Sequence, residues 1–404
     1  MGVVAAGLAV GVAGSLLTLL LHLVQQLAYG YSGETFLIGV EHADPLTRVV
    51  APVVGMGLCG LAWMRLRTRP LPDVLDGCGE RPKRLPVGRS SLDAMLQIIA
   101  VGSGASIGRE GAPRQVGGAL ASGISSLLGV RTGLRRRLVV AGAGAGLAVV
   151  YNVPLSGVLF GAEVLAGGFG PGGLAVSLGV CVLAVVVSWP VLGTAPTYSY
   201  PGVAVDAPAV VWALLAAPLC AGLGWLFSSI MRRFARVRPR PGWRLPVATA
   251  LAGLFVGVAA IWLPSLPGNG KGIVQLALAG GGSLLTFGVL ILFKPLATGV
   301  TFGSGVTGGF LTPALGAGAA LGATIALAGA AAGQGWSVAE FALIGAVGVL
   351  AVTQRAPWFA AVFGWELAHP PILMLVLLLV VAHGSAWLGR RLPDGVLRRT
   401  ESPQ

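Results

Sequence analysis

Two segments of the chain, residues 141–165 and 344–368, align with each other without a gap. Upstream, residues 108–113 (Gly-Arg-Glu-Gly-Ala-Pro) align in the same way with residues 308–313 (Gly-Gly-Phe-Leu-Thr-Pro). A repeat on this scale predicts two structurally related halves. The longer alignment matches the following pairs: Gly142 with Gly345, Ala143 with Ala346, Pro154 with Pro357, Phe160 with Phe363, Gly161 with Gly364, and Glu163 with Glu366.

The composition places both halves in a membrane. Of 404 residues, 55% are hydrophobic and only 10% are charged, whereas a soluble chain carries about 25% charged residues. Long apolar runs without a ten-residue alternating pattern predict an all-α polytopic protein rather than an outer-membrane barrel. Several runs are short and broken by Gly or Pro, which predicts half-helices that line a polar cavity. Duplicated halves with broken helices are typical of transporters whose site lies near the bilayer midplane.

The net charge of +13 is distributed unevenly. The segment 30–45 carries Glu34, Glu41 and Asp44 and has no Lys or Arg, which indicates an external loop, while clustered basic residues indicate cytoplasmic loops. This asymmetry predicts a multi-pass protein of a bacterial inner membrane. Nucleic acid is excluded as a partner because the basic runs lack interleaved aromatic residues. The basic clusters lie at 65–89, 131–137, 232–244 and 390–399.

The repeat and the charge pattern together divide the chain into four parts. We expect a first transmembrane repeat at 1–231, a basic cytoplasmic linker at 232–244, a second transmembrane repeat at 245–390 and a cytoplasmic tail at 391–404.

The Gly-rich stretch 102–118 contains the first candidate for function. Glu110 and Arg109 stand between glycines within one of the most apolar parts of the chain. Ionisable residues at membrane depth are costly and usually face a cavity. Pro113 is typical of a first helical turn. We therefore expect Glu110 at the N-terminus of a helix that begins partway through the bilayer, where free N–H groups attract an anion.

Prolines mark three further helix starts of the same kind. Convergent helix N-termini would stabilise a dehydrated anion by backbone dipoles. A fixed Lys or Arg ligand would instead bind the ion too tightly to release it. Glu110 in one half aligns with Phe310 in the other, which predicts an asymmetric site. The predicted filter helix N-termini are marked by Pro72, Pro113, Thr312 with Pro313, and Pro371.

Together these motifs resemble those of the chloride channel/transporter (CLC) family, over roughly residues 3–390. Residues 108–113 resemble its G-[KR]-E-G-P motif, with the proline one place late. Residues 309–313 resemble its G-x-F-x-P motif, with the aromatic residue displaced by one position. The segment 151–160, and Arg355-Ala-Pro followed by Glu366, also match in place.

The resemblance implies a homodimer of the prokaryotic type, without cytoplasmic regulatory domains. Each subunit would hold one anion pathway and consist of two inverted-topology repeats with up to about 18 helical segments. Glu110 would be the gate, a carboxylate that competes with the anion and moves away when protonated. The anion would be bound by the backbone amides of Arg109, Glu110, Gly111, Phe310 and Leu311. The resemblance implies no cofactor, no metal and no catalytic residue.

Two filter positions depart from the family pattern. In this register the first filter motif falls at 68–72, where Arg69 replaces its serine, and the filter tyrosine falls at Pro371. Both usual hydroxyls are therefore missing from their places. A small monovalent anion, by default chloride, remains the expected substrate, and fluoride or nitrate stays open. A passive channel and a proton-coupled exchanger both stay open.

Several residues have alternative interpretations. Glu163 and Glu366 are expected mainly to cap or brace helices, and Tyr151 is expected mainly to pack, although its hydroxyl could replace a missing one. A remote alternative is an intramembrane serine hydrolase, in which Ser304 would need His369 or His383 as its base.

Overall fold

A computed structural model describes residues 1–33, 35–79, 82–168, 170–202 and 205–393. In these ranges the chain is built from helices, and extended pairing is limited to one isolated bridge between Gly108 and Gly309. The all-α expectation is confirmed. The first half contains α1 (Gly2–Tyr29), α2 (Phe36–His42), α3 (Pro45–Leu66), α4 (Val74–Cys78), α5 (Val87–Gly102), α6 (Gly111–Leu127), α7 (Thr132–Tyr151), α8 (Pro154–Leu159) with a π-helical continuation (Phe160–Ala166), α9 (Pro171–Leu192), α10 (Ala207–Leu215) and α11 (Ala217–Ala235).

The second half repeats this pattern with fewer short elements. The apolar runs of the sequence coincide with helices, and α4 follows the helix start predicted at Pro72, whereas α2 and α13, with eight residues or fewer, were not expected. The second half contains α12 (Arg244–Ala260), α13 (Lys271–Leu278), α14 (Leu284–Gly303), α15 (Leu311–Ala331), α16 (Val338–Gln354), α17 (Pro357–Ala368) and α18 (Ile372–Gly389).

The helices fall into long spans and short segments. Among the described residues, six helices are long and apolar enough to cross a membrane, or seven if α10 and α11, which meet at a bend of 52°, count as one span. Others, such as α6 and α8, are shorter than the roughly 20 residues that a crossing requires. Most residues of α6 are buried, and irregular backbone at membrane depth is tolerated where it is covered by protein.

The two halves turn their chains in the same way. Asn152 after α7 and Arg355 after α16 hold aligned positions, and both adopt the left-handed backbone conformation, with φ of 56° and 54°. Each is followed two residues later by a proline, Pro154 or Pro357, that opens the next helix. Proline suits a first helical turn because its missing N–H needs no acceptor there. Arg355 is thus a helix-end residue, as its position after an apolar run predicts.

Aligned glycines bring aligned helices into backbone contact. A Cβ on Gly142 of α7 would lie 2.4 Å from the carbonyl oxygen of Gly117 in α6. A Cβ on Gly345 of α16 would lie 2.4 Å from the carbonyl oxygen of Gly318 in α15. Small residues at such crossings allow helices in a membrane to approach closely, because van der Waals packing drives their association.

Two carboxylates, one buried and one partly exposed, link the halves reciprocally. Glu366 of α17 accepts hydrogen bonds at the start of α8, from the N–H groups of Leu155 (3.0 Å) and Ser156 (2.7 Å) and from the Ser156 hydroxyl (2.5 Å). Glu163, after α8, accepts one from the N–H of Phe359 (2.8 Å) at the start of α17. The interpretation of both as helix caps is confirmed. Each half therefore satisfies free N–H groups of the other.

These caps predict an unequal loss of stability. Glu366→Ala should lower the free energy of unfolding by about 3 kcal/mol, because it leaves two N–H groups and a hydroxyl unpaired in the interior. Glu163→Ala should cost about half as much, because a single N–H loses its acceptor. Thermal unfolding of both variants in the same detergent measures the difference. Equal melting temperatures would contradict this assignment.

Basic residues from separate clusters come together in the structure. Arg67 and Arg238 both donate to the carbonyl oxygen of Gly305, at 2.7 and 3.2 Å. Arg135 donates to the Ser122 hydroxyl (3.3 Å), which also accepts from the N–H of Leu85. That the basic clusters share the cytoplasmic side stays a prediction. Glu34 and residues 394–404, which include most of the expected tail, lie outside the described residues.

Candidate functional site

The two halves join at the Gly-rich segments that precede α6 and α15. The N–H of Gly108 donates to the carbonyl of Gly309, and the N–H of Gly309 donates to the carbonyl of Gly108, each at 2.8 Å. This antiparallel pair places the first turns of α6 and α15, which contain Pro113 and Pro313, beside each other. Two helix N-termini from opposite halves therefore meet in the interior, as the repeat predicts.

The carboxylate of Glu110 crosses from one half to the other. Glu110 is 0% exposed and stands immediately before α6. Its Oε1 accepts a hydrogen bond from the Leu311 N–H at 2.7 Å. Its Oε2 accepts from the hydroxyls of Thr312 at 2.9 Å and Tyr151 at 3.3 Å. A negative group thus lies at the N-terminus of α15, where free N–H groups and the helix dipole stabilise negative charge.

Glycines on both sides leave room for this carboxylate. A Cβ on Gly108 would lie 2.1 Å from Glu110 Oε1, and a Cβ on Gly309 would lie 2.2 Å from the same atom. Real side chains do not approach so closely, so any larger residue at either position would displace the carboxylate. The glycines in both aligned motifs are explained by this close approach.

The neighbouring arginines direct their donors elsewhere. Arg109 donates to the carbonyl of Val150 (2.7 Å), and its guanidinium lies 4.7 Å from the centre of the Tyr151 ring. Arg114 donates from Nε to the backbone carbonyl of Glu110 at 2.9 Å. The structure therefore gives the Glu110 carboxylate neutral donors, which contradicts a simple pairing with either arginine.

The remaining residues of the expected amide set lie around this junction. Phe310 caps α15, and its ring packs edge-on against Phe302, with centroids 4.9 Å apart. Gly111 opens α6, and a Cβ there would lie 3.0 Å from the backbone of Gly308. The backbone of Arg109, Glu110 and Gly111 thus borders the backbone of the second half.

Of the four expected helix starts, the structure joins two at Glu110. Pro72 is half-buried and precedes Asp73, which caps the five-residue helix α4. Pro371 is exposed at the start of α18, whereas Glu110 is fully buried. That Pro72 and Pro371 contribute to the anion pathway stays a prediction, because residues that line an open pathway can be exposed as well as buried.

Tyr151 belongs to the site rather than only to the packing. Its hydroxyl lies 2.9 Å from Thr312 Oγ1 and 3.4 Å from the amide nitrogen of Asn269, while its ring packs edge-on against Phe363. The hydroxyls of Tyr151 and Thr312 thus both contact Glu110 Oε2, and they contact each other. Asn269 was overlooked, although the run Pro-Gly-Asn-Gly-Lys at 267–271 was an available turn signal.

The hydrolase alternative is contradicted. The Ser304 hydroxyl donates to the carbonyl of Thr301 (2.7 Å) in its own helix. His383 Nδ1 pairs with the Leu379 carbonyl (2.9 Å) of α18, and His369 terminates α17. A serine nucleophile needs a base within hydrogen-bond reach, and neither histidine fills that role.

A protein-family model described as "Voltage gated chloride channel" matches residues 55–390. The chain belongs to this CLC family of anion transport proteins. Members of the family are transporters and channels rather than enzymes. The chain is 30% identical to a "Putative chloride channel protein ClcB-like" of Ralstonia nicotianae, over 93% of this chain and 92% of that protein. It is 31% identical to the "Voltage-gated ClC-type chloride channel ClcB" of Salmonella typhimurium, over 70% of this chain and 69% of that protein.

Solved structures share the fold of this CLC protein. A slow cyanobacterial Cl−/H+ antiporter matches with a TM-score of 0.80 and 22% identity, over 96% of this chain and 94% of that one. A CLC-type fluoride/proton antiporter matches with a TM-score of 0.76 and 19% identity, over the same shares of the two chains. The architecture of two inverted-topology repeats is thus established for the CLC chain described here.

Proposed function

We propose that this CLC protein passes a small monovalent anion through the junction of α6 and α15, with Glu110 as a protonatable gate. The observation that carries the proposal is the position of the Glu110 carboxylate, which takes the Leu311 N–H and the Thr312 hydroxyl as its donors. A carboxylate oxygen and a halide ion compete for the same donors because both are anionic acceptors. The gate therefore occupies the place that an anion would take.

Protonation would release this competition. A neutral carboxylic acid gains less from the α15 dipole than a carboxylate does, so an anion can take over the Leu311 and Thr312 donors. The Tyr151 hydroxyl, which already contacts both Glu110 and Thr312, would remain as a further donor. Backbone amides of Arg109, Gly111 and Phe310 line the route on either side. A site of neutral donors binds the ion weakly enough for release.

Chloride is the substrate that we propose first. The relatives from Ralstonia and Salmonella carry chloride channel in their names, whereas one solved neighbour is a fluoride/proton antiporter. Proton-coupled exchange of fluoride or nitrate is the alternative. The neutral donors around Glu110 can serve either anion, so the decision rests on transport measurements.

The decisive experiment measures the reversal potential of reconstituted liposomes under crossed chloride and pH gradients. A passive, Glu110-gated pathway predicts a reversal potential set by the chloride gradient alone. A reversal potential that moves with the proton gradient would establish exchange in place of a passive pathway. Replacing chloride by fluoride and then nitrate ranks the anions, and equal permeability to all three would contradict a selective site.

We further propose that the protein is a homodimer of the bacterial inner membrane, with one pathway in each subunit, as the CLC resemblance implies. The parts 1–231 and 245–390 would each form one repeat of the subunit, joined by the basic segment 232–244. Mass measurement in native detergent micelles tests the dimer. Accessibility of Cys substitutions in the basic segment to a cytoplasmic reagent tests the orientation.

A further inference from the structure

Lys294 is a fully buried cation beside the proposed pathway. Its exposure is 0%, and it lies in the middle of α14 (Leu284–Gly303). Its ammonium donates to Ser106 Oγ at 2.8 Å, to the Leu266 carbonyl at 3.0 Å and to the Gly268 carbonyl at 2.8 Å. An ammonium has three donors, so protein oxygens occupy all of them. All three acceptors are neutral, and the charge of Lys294 therefore has no direct counterion among them.

The side chain reaches the back of the filter. A Cβ on Gly270 would lie 3.2 Å from Lys294 Cε and 2.9 Å from the backbone oxygen of Thr312. Lys294 thus lies behind the first turn of α15, whose front receives the Glu110 carboxylate. Lys294 and Glu110 also interact electrostatically. Such an interaction is screened little by salt because both groups are buried.

We propose that Lys294 is a positioning residue for the anion, acting through the electric field rather than by contact. The proposal rests on the function proposed above, since it needs an anion or the Glu110 carboxylate at the N-terminus of α15. Because its three N–H groups are occupied, the ammonium attracts negative charge to this point without binding it directly. A cation with a free N–H group would instead hold the ion and slow its release.

Other charged or titratable groups lie near Glu110 or near its neighbour Arg109, so the effect of Lys294 is partial. Arg109 and Arg114 lie on the same segment as Glu110, and Lys271 opens α13 near Arg109. Arg109, Arg114 and Lys271 do not take the position of Lys294, whose side chain extends from α14 to the first turn of α15. The remaining groups are Tyr151 at the end of α7, Tyr198 from the loop after α9, and His22 of α1, which interacts with Arg109 and Lys271.

The test separates charge from structure with two neutral variants. Lys294→Met keeps the length of the side chain and removes every donor, whereas Lys294→Gln keeps two donors for the neighbouring oxygens. We expect both to weaken chloride binding by about tenfold, which corresponds to one unit charge acting across a short distance in a partly polar interior. Binding is measured by calorimetry in the Glu110→Gln background, where no carboxylate competes for the donors.

The outcomes are distinct. If Lys294→Gln binds chloride as tightly as the Lys294 parent, or if binding is unchanged in both variants, the proposed field effect is overturned. If the Glu110→Gln parent itself binds no chloride, the proposed function fails, and Lys294 is not the cause. Should Lys294→Met fail to fold, the comparison rests on Lys294→Gln and on Lys294→Arg, which keeps the charge and is expected to bind within about twofold of the parent.

A matched control and a pH readout complete the design. Arg48 of α3 is also a cation held by carbonyl oxygens, those of Ala43, Glu41 and Ile261, but it lies near the start of α3, away from α15. Arg48→Met should leave chloride binding unchanged. With Glu110 present, Lys294→Gln should move the pH of half-maximal flux upward, because a nearby cation opposes protonation of a carboxylate. A midpoint identical to that of the wild type would contradict the proposal.

Discussion

Replacing Glu110 with glutamine should leave anion flux intact and remove its dependence on pH. Glutamine is nearly isosteric with the protonated acid and carries no charge, so it competes with an anion for the Leu311 N–H and the Thr312 hydroxyl much more weakly than the carboxylate does. Wild-type flux should rise as the pH falls, because protonation opens the gate. The measurement is initial chloride efflux from liposomes across a pH series. This is the largest functional effect that the structure predicts.

The control is another buried carboxylate. Glu366→Gln removes a charge at the start of α8, where Glu366 accepts from Leu155 and Ser156, and it should leave the pH profile of flux unchanged. A flat profile in Glu366→Gln, or a preserved wild-type profile in Glu110→Gln, would show that a different group senses the proton.

Gly345→Ala should prevent the protein from folding stably. The new methyl group would lie 2.4 Å from the carbonyl oxygen of Gly318, where backbone faces backbone and no flexible side chain can yield. Overpacking of this kind costs about 3 kcal/mol or more. Gly142→Ala should have an effect of the same size, because Gly142 meets Gly117 at the same distance in the aligned helix pair. Equal losses of stability in Gly142→Ala and Gly345→Ala would show that both repeats depend on the same close helix contact.

Gly288→Ala is the matched control for these substitutions. Gly288 lies within α14, and no atom lies within 4 Å of the position that its Cβ would take. The substitution should leave the melting temperature unchanged or raise it, because alanine favours a helix more than glycine does. Yield and thermal unfolding in detergent measure all three variants. A Gly345→Ala protein as stable as Gly288→Ala would contradict the close helix contact.

Much of the fold followed from patterns that are local in sequence. The sequence itself shows the ungapped repeat, the apolar runs and the prolines after Asn152 and Arg355. The aligned residues of the two repeats match position by position. The reciprocal caps of Glu163 and Glu366 followed from the same alignment, since a carboxylate that recurs in apolar helices needs a recurring donor. Symmetric positions therefore predicted symmetric contacts.

The site could be predicted only in part, because it is assembled from distant segments. Glu110 was found because glycines and an apolar background isolate it. Lys294, Asn269 and the orientation of the Tyr151 hydroxyl were not found as parts of the site, since nothing near each residue in sequence indicates what it faces.

The two hydrogen bonds between Gly108 and Gly309 can form only after most of the chain has been synthesised. When the ribosome has completed only the first half, the backbone of Gly108 and the carboxylate of Glu110 still await donors and acceptors 201 residues later in the chain. In lipid such polar groups cannot be left unpaired without cost. A half-made chain must therefore keep this segment in water or in the translocation machinery, and the contacts of Gly108 and Glu110 form only when α15 has been made.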